Sequence, residues 1–349
     1  MAKLLLKDMD YNELQQFLET MNCKSFRAKQ LFNWMYKQQV DNFTDMTNLS
    51  QDLRHKLEKS ALLYGLTLDT DKLFVSSEDG TIKFLAITDN NIGIETTVMK
   101  YNFGNTVCIS SQAGCNMNCA FCASTKGGKQ RDLTPGEMVD QVILANKILG
   151  DGEKISNIVV MGSGEPLENY DNLLKFLQIA NDSRGLNIGM RHITVSTCGL
   201  VSEINYLAEE RMQINLAISL HAPNDKLRDQ LVPVNKRYPI DDLMEACQKY
   251  FSYTGRRISF EYVLIDNVND NIQFARELSD LLAKLDMPVH VNIIPYNTVE
   301  EAQMCSPAQD TISKFVSELT ASNITVTVRQ ERGADIDGAC GQLRYKRMR

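Results

Sequence analysis

From residue 106 to about residue 330 the sequence alternates between short runs of β-branched and apolar residues and longer stretches with helical spacing. The runs are "TVCISS", "ISNIVVM", "HITVSTCG", "INLAISL", "RISFEYVLI", "VHVNIIPY" and "ITVTVRQ", and the helical patterns lie near 134–149, 170–180, 200–210, 240–251, 271–285 and 307–320. Apolar strands that each lead into a helix form parallel sheets, because the return crossover is a helix that covers one face of the sheet. The pattern predicts an α/β chain with at least six such units. That is fewer than the eight of a closed barrel, so the expected architecture is a partial (β/α)6 barrel, with ligands at the C-terminal ends of its strands. The first of these helices has a strong start signal, with Thr134 as cap, Pro135 next and Glu137 at the third helical position.

Before this region the pattern differs. "NELQQFLETM", "FRAKQLFNWMYKQ" and "QDLRHKLEKSA" predict a small helical module over residues 1–65. The alternating runs that follow predict a β-hairpin extension over 66–105. The barrel is expected over 106–330 and a C-terminal segment over 331–349. Trp34, the only tryptophan, lies beside Phe32 and Met35 and is expected in the core, with an RNA-facing aromatic as the alternative.

Hydrophobic residues make up 43% of the chain and charged residues 23%. No window approaches the roughly 18 consecutive apolar residues of a membrane span. The N-terminal "MAKLLLKDMDYNELQQ" lacks the apolar run and cleavage site of a signal peptide, so a cytoplasmic location is expected. A net charge of -7 argues against general affinity for nucleic acid, yet "KGGKQR" at 126–131 and "RYKRMR" at 344–349 are locally basic.

Nine cysteines is an odd number, so a complete disulfide framework cannot use them all. Cys115, Cys119 and Cys122 are clustered in "CNMNCAFC". Zinc would need a distant fourth ligand or a water there, and its common spacings use paired Cys-x2-Cys units. Three thiolates can instead hold three corners of a [4Fe-4S] cubane and leave one iron open to a substrate. Three inert core thiols among asparagines have little packing logic. Cys340 stands apart, between Gly338 and Gly341 and ahead of the basic tail, where the glycines offer little to pin a buried thiol.

"CNMNCAFC" matches the Cys-x3-Cys-x2-Cys signature of the radical S-adenosylmethionine (SAM) superfamily, with Phe121 at its aromatic position. "CISSQAGCNMNCAFCAS", "GSGEPLEN", "STCG", "SLHAPND", "LVPVNKRYPI", "NIIPYN" and "RGADIDGACGQL" resemble, in order, the RlmN/Cfr family of RNA adenosine methyltransferases. The resemblance implies a TIM-like radical SAM barrel with one [4Fe-4S] cluster on Cys115, Cys119 and Cys122. It also implies two SAM molecules per turnover, one the methyl donor and one the radical source. Gly164 and Glu165 of "GSGEP", with Ser196, Ser219, His221 and Asn297, would bind SAM. Where the family commonly has methionine between the glycines this chain has Ser163, and a packing adjustment is expected there.

The same resemblance gives the remaining thiols a use. Carbon 2 of adenine is no nucleophile, so a radical route is needed. Cys340 would be methylated, lose a hydrogen to a 5'-deoxyadenosyl radical and add its methylene to the base. Cys108 would assist deprotonation and then pair with Cys340 in a disulfide as the product leaves. Glu95 in "IGIETT" matches a family acid near the adenine, while Cys23, Cys198, Cys247 and Cys305 look ordinary. The implied partners are 23S ribosomal RNA before complete ribosome assembly (adenosine 2503), transfer RNA (adenosine 37) and a flavodoxin- or ferredoxin-type electron donor, with the enzyme a monomer and no membrane involved. Methylation of carbon 8, as by Cfr, and a noncatalytic iron–sulfur RNA-binding or redox-sensing protein are the competing readings.

Overall fold

The computed structural model describes residues 3–150, 152–297, 304–339 and 341–343. The helical module contains α1 (Tyr11–Thr20), α2 (Phe26–Asn33) and α3 (Gln51–Ser60). Asp10 caps α1 by accepting from the Glu13 N–H at 2.8 Å, and Glu13 returns the bond to the Asp10 N–H at 2.9 Å. Trp34 is half-buried against the core and donates its indole N–H to Asn48 Oδ1 at 2.7 Å.

A ten-stranded sheet follows, with its strands side by side in chain order. Strands β1 (Leu66–Val75), β2 (Ile82–Thr88) and β3 (Gly93–Tyr101) run antiparallel, and β3 pairs antiparallel with β4 (Gly104–Ile109). The hairpin extension is thus a three-stranded meander continuous with the main sheet. From β4 onward the strands are parallel: β5 (Ile155–Val160), β6 (Ile193–Thr197), β7 (Asn215–Ser219), β8 (Ile258–Leu264), β9 (Val289–Pro295) and β10 (Thr325–Val328).

The intervening helices are α4 (Pro135–Leu149), α5 (Tyr170–Asn181), α6 (Val201–Glu209), α7 (Asp225–Leu231), α8 (Ile240–Thr254), α9 (Ile272–Leu282) and α10 (Gln309–Ala321). There are therefore six strand–helix units and a seventh parallel strand. Among the described residues β10 pairs only with β9, so the barrel stays open. The expected cap of α4 forms: Thr134 Oγ1 accepts from the Glu137 N–H and the Glu137 carboxylate accepts from the Thr134 N–H.

Helix α4 joins the front module to the barrel. Lys7 and Asp140, both fully buried, pair at 2.6 Å, and Asp140 also accepts the N–H groups of Gly65 (2.7 Å) and Leu66 (3.1 Å). The Lys7 ammonium lies 3.2 Å from the centre of the Tyr64 ring. At the next position, Gln141 Oε1 accepts from the Ser110 N–H at 2.8 Å and its Nε2 donates to the Ser110 carbonyl at 2.9 Å. That exchange fixes the C-terminal end of β4, where the cysteine loop departs. Among the described residues no helix is long and apolar enough to cross a membrane.

Candidate active site

A cavity of about 940 Å³ opens at the C-terminal ends of the parallel strands. Cys115, Cys119 and Cys122 line one side of it, and Gly164, Glu165, Ser196, Ser219, His221 and Asn297 line the rest. The strand ends explain this convergence. The "GSGEP" loop follows β5, Ser196 and Ser219 lie at the ends of β6 and β7, and His221 and Asn297 come just after β7 and β9.

The loop after β5 is fastened to the segment after β4 by its backbone. The Gly162 N–H donates to the Ile109 carbonyl (3.0 Å), and the Ser163 carbonyl accepts from Ser111 (3.0 Å) and Gln112 (3.1 Å). The Ser163 N–H donates to Ser110 Oγ at 3.0 Å. These bonds use the backbone of Ser163, so a different side chain there leaves them in place. Gly164 has φ +110°, and a Cβ there would come within 2.6 Å of Gln112 Cβ. Gln112 accepts the Glu165 N–H at 2.8 Å and donates to Asp132 (2.8 Å) and Glu168 (2.9 Å).

The buried Glu165 carboxylate accepts the N–H groups of Leu167 (3.0 Å) and Cys198 (2.8 Å), and burial pushes its pKa up. The Thr197 and Cys198 side chains also hydrogen-bond to it. The Ser196 and Ser219 hydroxyls are 3.3 Å apart. His221 sits in the left-handed region at φ +60°, and its Nδ1 accepts from the Val263 N–H at 3.0 Å. Burial, and then the neighbouring Arg228 cation, lower its pKa to about 3. The ring is therefore neutral with its proton on Nε2, and its centre lies 4.7 Å from that of the Phe121 ring at an interplanar angle of 77°.

Burial pushes the Cys115 thiol up to about 12 and Cys119 well above its ordinary value, with the neighbouring cysteines adding to both. Three such thiols cannot ionise together without a compensating cation. Among the described residues no three His, Cys, Asp or Glu side chains are arranged around a single ion. A cubane distributes its ligands over separate irons, and three thiols on one loop beside an open cavity fit that donor requirement.

Cys108 lies on β4, opposite Thr97 of β3. It lines an adjoining cavity with Asn297, Gly338, Ala339 and Leu343. Cys340 is outside the described residues, but its neighbours Ala339 and Gly341 line the smaller and the larger cavity respectively. Glu95, also on β3, lies 3.6 Å from Lys83 Nζ and lines a third recess with Ser110, Gln112, Ser163 and Leu343. It does not line the cofactor-sized cavity. No disulfide joins two of the described cysteines.

Sequence reasoning missed three residues of this region. Fully buried Arg228 donates to the carbonyls of Leu220 (3.1 Å), Cys198 (2.6 Å) and Ser219 (3.2 Å) and to Asn235 Oδ1 (2.8 Å). It ties the ends of β6 and β7 together, and nothing in its sequence setting marks it. Glu261 and Arg329 line the cavity. A lone carboxylate inside the apolar "RISFEYVLI" and an arginine directly after "ITVTV" were the available signals.

The profile of the radical SAM superfamily matches residues 109–278, and that of the ribosomal RNA large subunit methyltransferase N-terminal domain matches residues 4–63. The chain is 62% identical over 347 residues, 99% of both chains, to a protein of Natranaerobius thermophilus named "Probable dual-specificity RNA methyltransferase RlmN". A protein of the same name from Clostridium acetobutylicum is 50% identical over 96% of both chains. The crystal structure of a radical SAM methyltransferase from Sphaerobacter thermophilus superposes with a TM-score of 0.94 at 45% identity, covering 98% of this chain and 99% of that one.

Proposed function

The chain belongs to the RlmN family of radical SAM RNA methyltransferases, and from that premise we propose that it methylates carbon 2 of an unstacked adenosine in RNA. The substrates are adenosine 2503 of 23S ribosomal RNA before complete assembly and adenosine 37 of transfer RNA. The observation that supports this reading is the convergence of three loop cysteines, the "GSGEP" loop and the strand-end serines on one cavity. Cys108 and Ala339, the residue before Cys340, line the recess beside it.

Cys115, Cys119 and Cys122 would hold a [4Fe-4S] cluster, and Gly164, Glu165, Ser196, Ser219, His221 and Asn297 would bind SAM. When bound, the pair supplies a 5'-deoxyadenosyl radical, and SAM also supplies the methyl group. The chain's own residues do the rest. The sulfur of Cys340 accepts the methyl group, its methyl carbon gives up one hydrogen atom, and the resulting methylene bonds to carbon 2. The ring radical left by that bond gives up one electron, which the bound cluster would accept, and Cys108 as thiolate takes the proton from that ring carbon; once it has passed that proton to solvent, its thiolate attacks the Cys340 sulfur. A disulfide forms, the carbon–sulfur bond breaks and the methylated base leaves with one proton added. A flavodoxin- or ferredoxin-type donor supplies the electron, and reduction of the disulfide resets the enzyme. Neutral His221 orients without exchanging protons, and Glu95 lines a recess shared by Ser163 of the SAM loop and Leu343 of the tail. The front module is read as the accessory RNA-binding domain.

The test is mass spectrometry of nucleosides from 23S and transfer RNA after anaerobic incubation with reconstituted enzyme, reductant and SAM bearing a deuterated methyl group. Labelled 2-methyladenosine carrying two deuterium atoms is expected. Labelled 8-methyladenosine would transfer the assignment to the other carbon. In parallel, Cys108→Ala and Cys340→Ala should keep their iron and lose methylation, whereas any one of the three loop cysteines changed to alanine should lose both.

A further inference from the structure

The barrel has a second opening, at the N-terminal ends of its parallel strands and opposite the cysteine loop. Its space, open solvent at the mouth included, is about 2040 Å³. Four arginines line it: Arg191 just before β6, Arg256 and Arg257 just before β8, and Arg329 after β10. Among the described lining residues Glu261 is the one carboxylate, and it is engaged by Asn292 Nδ2 at 2.9 Å. Such a concentration of cations is notable in a chain of net charge -7. Asn215 holds one of them, accepting from the Arg256 guanidinium while donating to the backbone carbonyl of Arg191 at 2.8 Å. A guanidinium held in this way loses less rotamer freedom when it meets an anion.

A second observation lies on the rim, at the turn from β3 to β4. The rings of Tyr101 and Phe103 stack 4.8 Å apart and 10° from parallel, and the Arg332 guanidinium lies 4.7 Å from the Tyr101 ring centre. Phe103 is 73% exposed. An exposed aromatic stacked on a second ring beside a cation is a platform for an unstacked base, and the arginines beyond it suit a phosphodiester backbone. The opening also shares Met161, Glu261 and Arg329 with the cofactor-sized cavity, so the two spaces adjoin.

We propose that this opening binds the RNA strand flanking the target nucleotide, with phosphates on Arg191, Arg256 and Arg257 and a neighbouring base stacked on Phe103. The inference rests on the reading of the chain as an RNA methyltransferase and assigns where that RNA is held.

The experiment measures binding of fluorescent transfer-RNA anticodon stem-loops and 23S rRNA hairpins to reconstituted enzyme across a salt series. The variants are Arg191→Glu with Arg257→Glu, Phe103→Ala, and a control of equal charge change on the outer helices, Arg276→Glu with Lys314→Glu. The cavity double reversal is expected to weaken binding at least tenfold beyond the control and to lower the slope of log Kd against log salt by about 1.5. Phe103→Ala should weaken binding about tenfold. Iron content and RNA-independent SAM cleavage should be unchanged in all. Equal RNA binding by cavity and control variants overturns the proposal and leaves the methyltransferase reading intact. So does a reversal that slows cluster reduction by flavodoxin without altering RNA affinity, since the occupant would then be an acidic protein. Failure of the unaltered enzyme to bind either RNA overturns both readings.

Discussion

Ala123, the residue after the third loop cysteine, donates its backbone N–H to the carbonyl oxygen of Gly341 at 2.8 Å. Next to it the buried Ser124 hydroxyl donates to the Leu343 carbonyl at 2.6 Å. The cysteine loop is thereby held as one unit with Gly341 and Leu343, just after position 340, although more than 200 positions separate them in the chain. Ser124→Ala should cost about 1 kcal/mol of local stability. Methylation should fall severalfold while iron content and RNA-independent SAM cleavage persist. Loss of iron in this variant would mean that the bond supports the cysteine loop itself rather than its register with the tail.

Gly164 is the most sterically confined glycine of the SAM-facing loop. An alanine there would need both φ +110° and a contact of 2.6 Å with Gln112 Cβ. The loop must then shift, and the Gln112 bond to the Glu165 N–H shifts with it. Gly164→Ala is expected to cost about 1–3 kcal/mol locally and to raise the SAM dissociation constant at least tenfold, measured by equilibrium dialysis. Gly127→Ala, which meets no atom within 4 Å, is the matched control. Equal SAM affinity in the two variants would remove the loop from the binding site.

His221 makes stability depend on pH. Its folded pKa is depressed from 6.5 to about 3, so between those values the unfolded chain takes up a proton that the folded chain refuses. The contribution is fully present above the unfolded value and is lost as pH falls toward the folded one. Between pH 7 and pH 5 it amounts to about 2 kcal/mol. His221→Asn keeps a side-chain acceptor for the Val263 N–H and suits φ +60°. Urea unfolding of the iron-free protein should be less pH-dependent in this variant by that amount; parallel profiles would contradict the assignment of a buried neutral imidazole.

Lys7 and Asp140 join the front module to α4. Lys7→Met leaves the Asp140 carboxylate buried with only the Gly65 and Leu66 N–H groups as donors. The expected loss is about 3–5 kcal/mol, read from denaturant unfolding, with part of it restored by adding Asp140→Asn. A loss below about 1 kcal/mol would show that the front module contributes little to the stability of the barrel.

The elements of the barrel were legible because their signals are local. A strand shows as a short β-branched run, α4 announces itself through Thr134, Pro135 and Glu137, and three cysteines within eight residues reach one ligand whatever the rest of the chain does. The positions just after each apolar run were equally legible, since a parallel barrel gathers strand ends at one mouth. Tertiary structure alone decided which distant groups complete that mouth. Arg228 gains its four acceptors only when β6, β7 and α7 are in place. Lys7 meets Asp140 across 133 positions. Strand register also sets Cys108 opposite Thr97 on the face toward the tail. Periodicity and spacing act within a few residues, whereas the partners of a buried charge are chosen by packing among elements with no shared local pattern, so their identity appears only once the chain has folded.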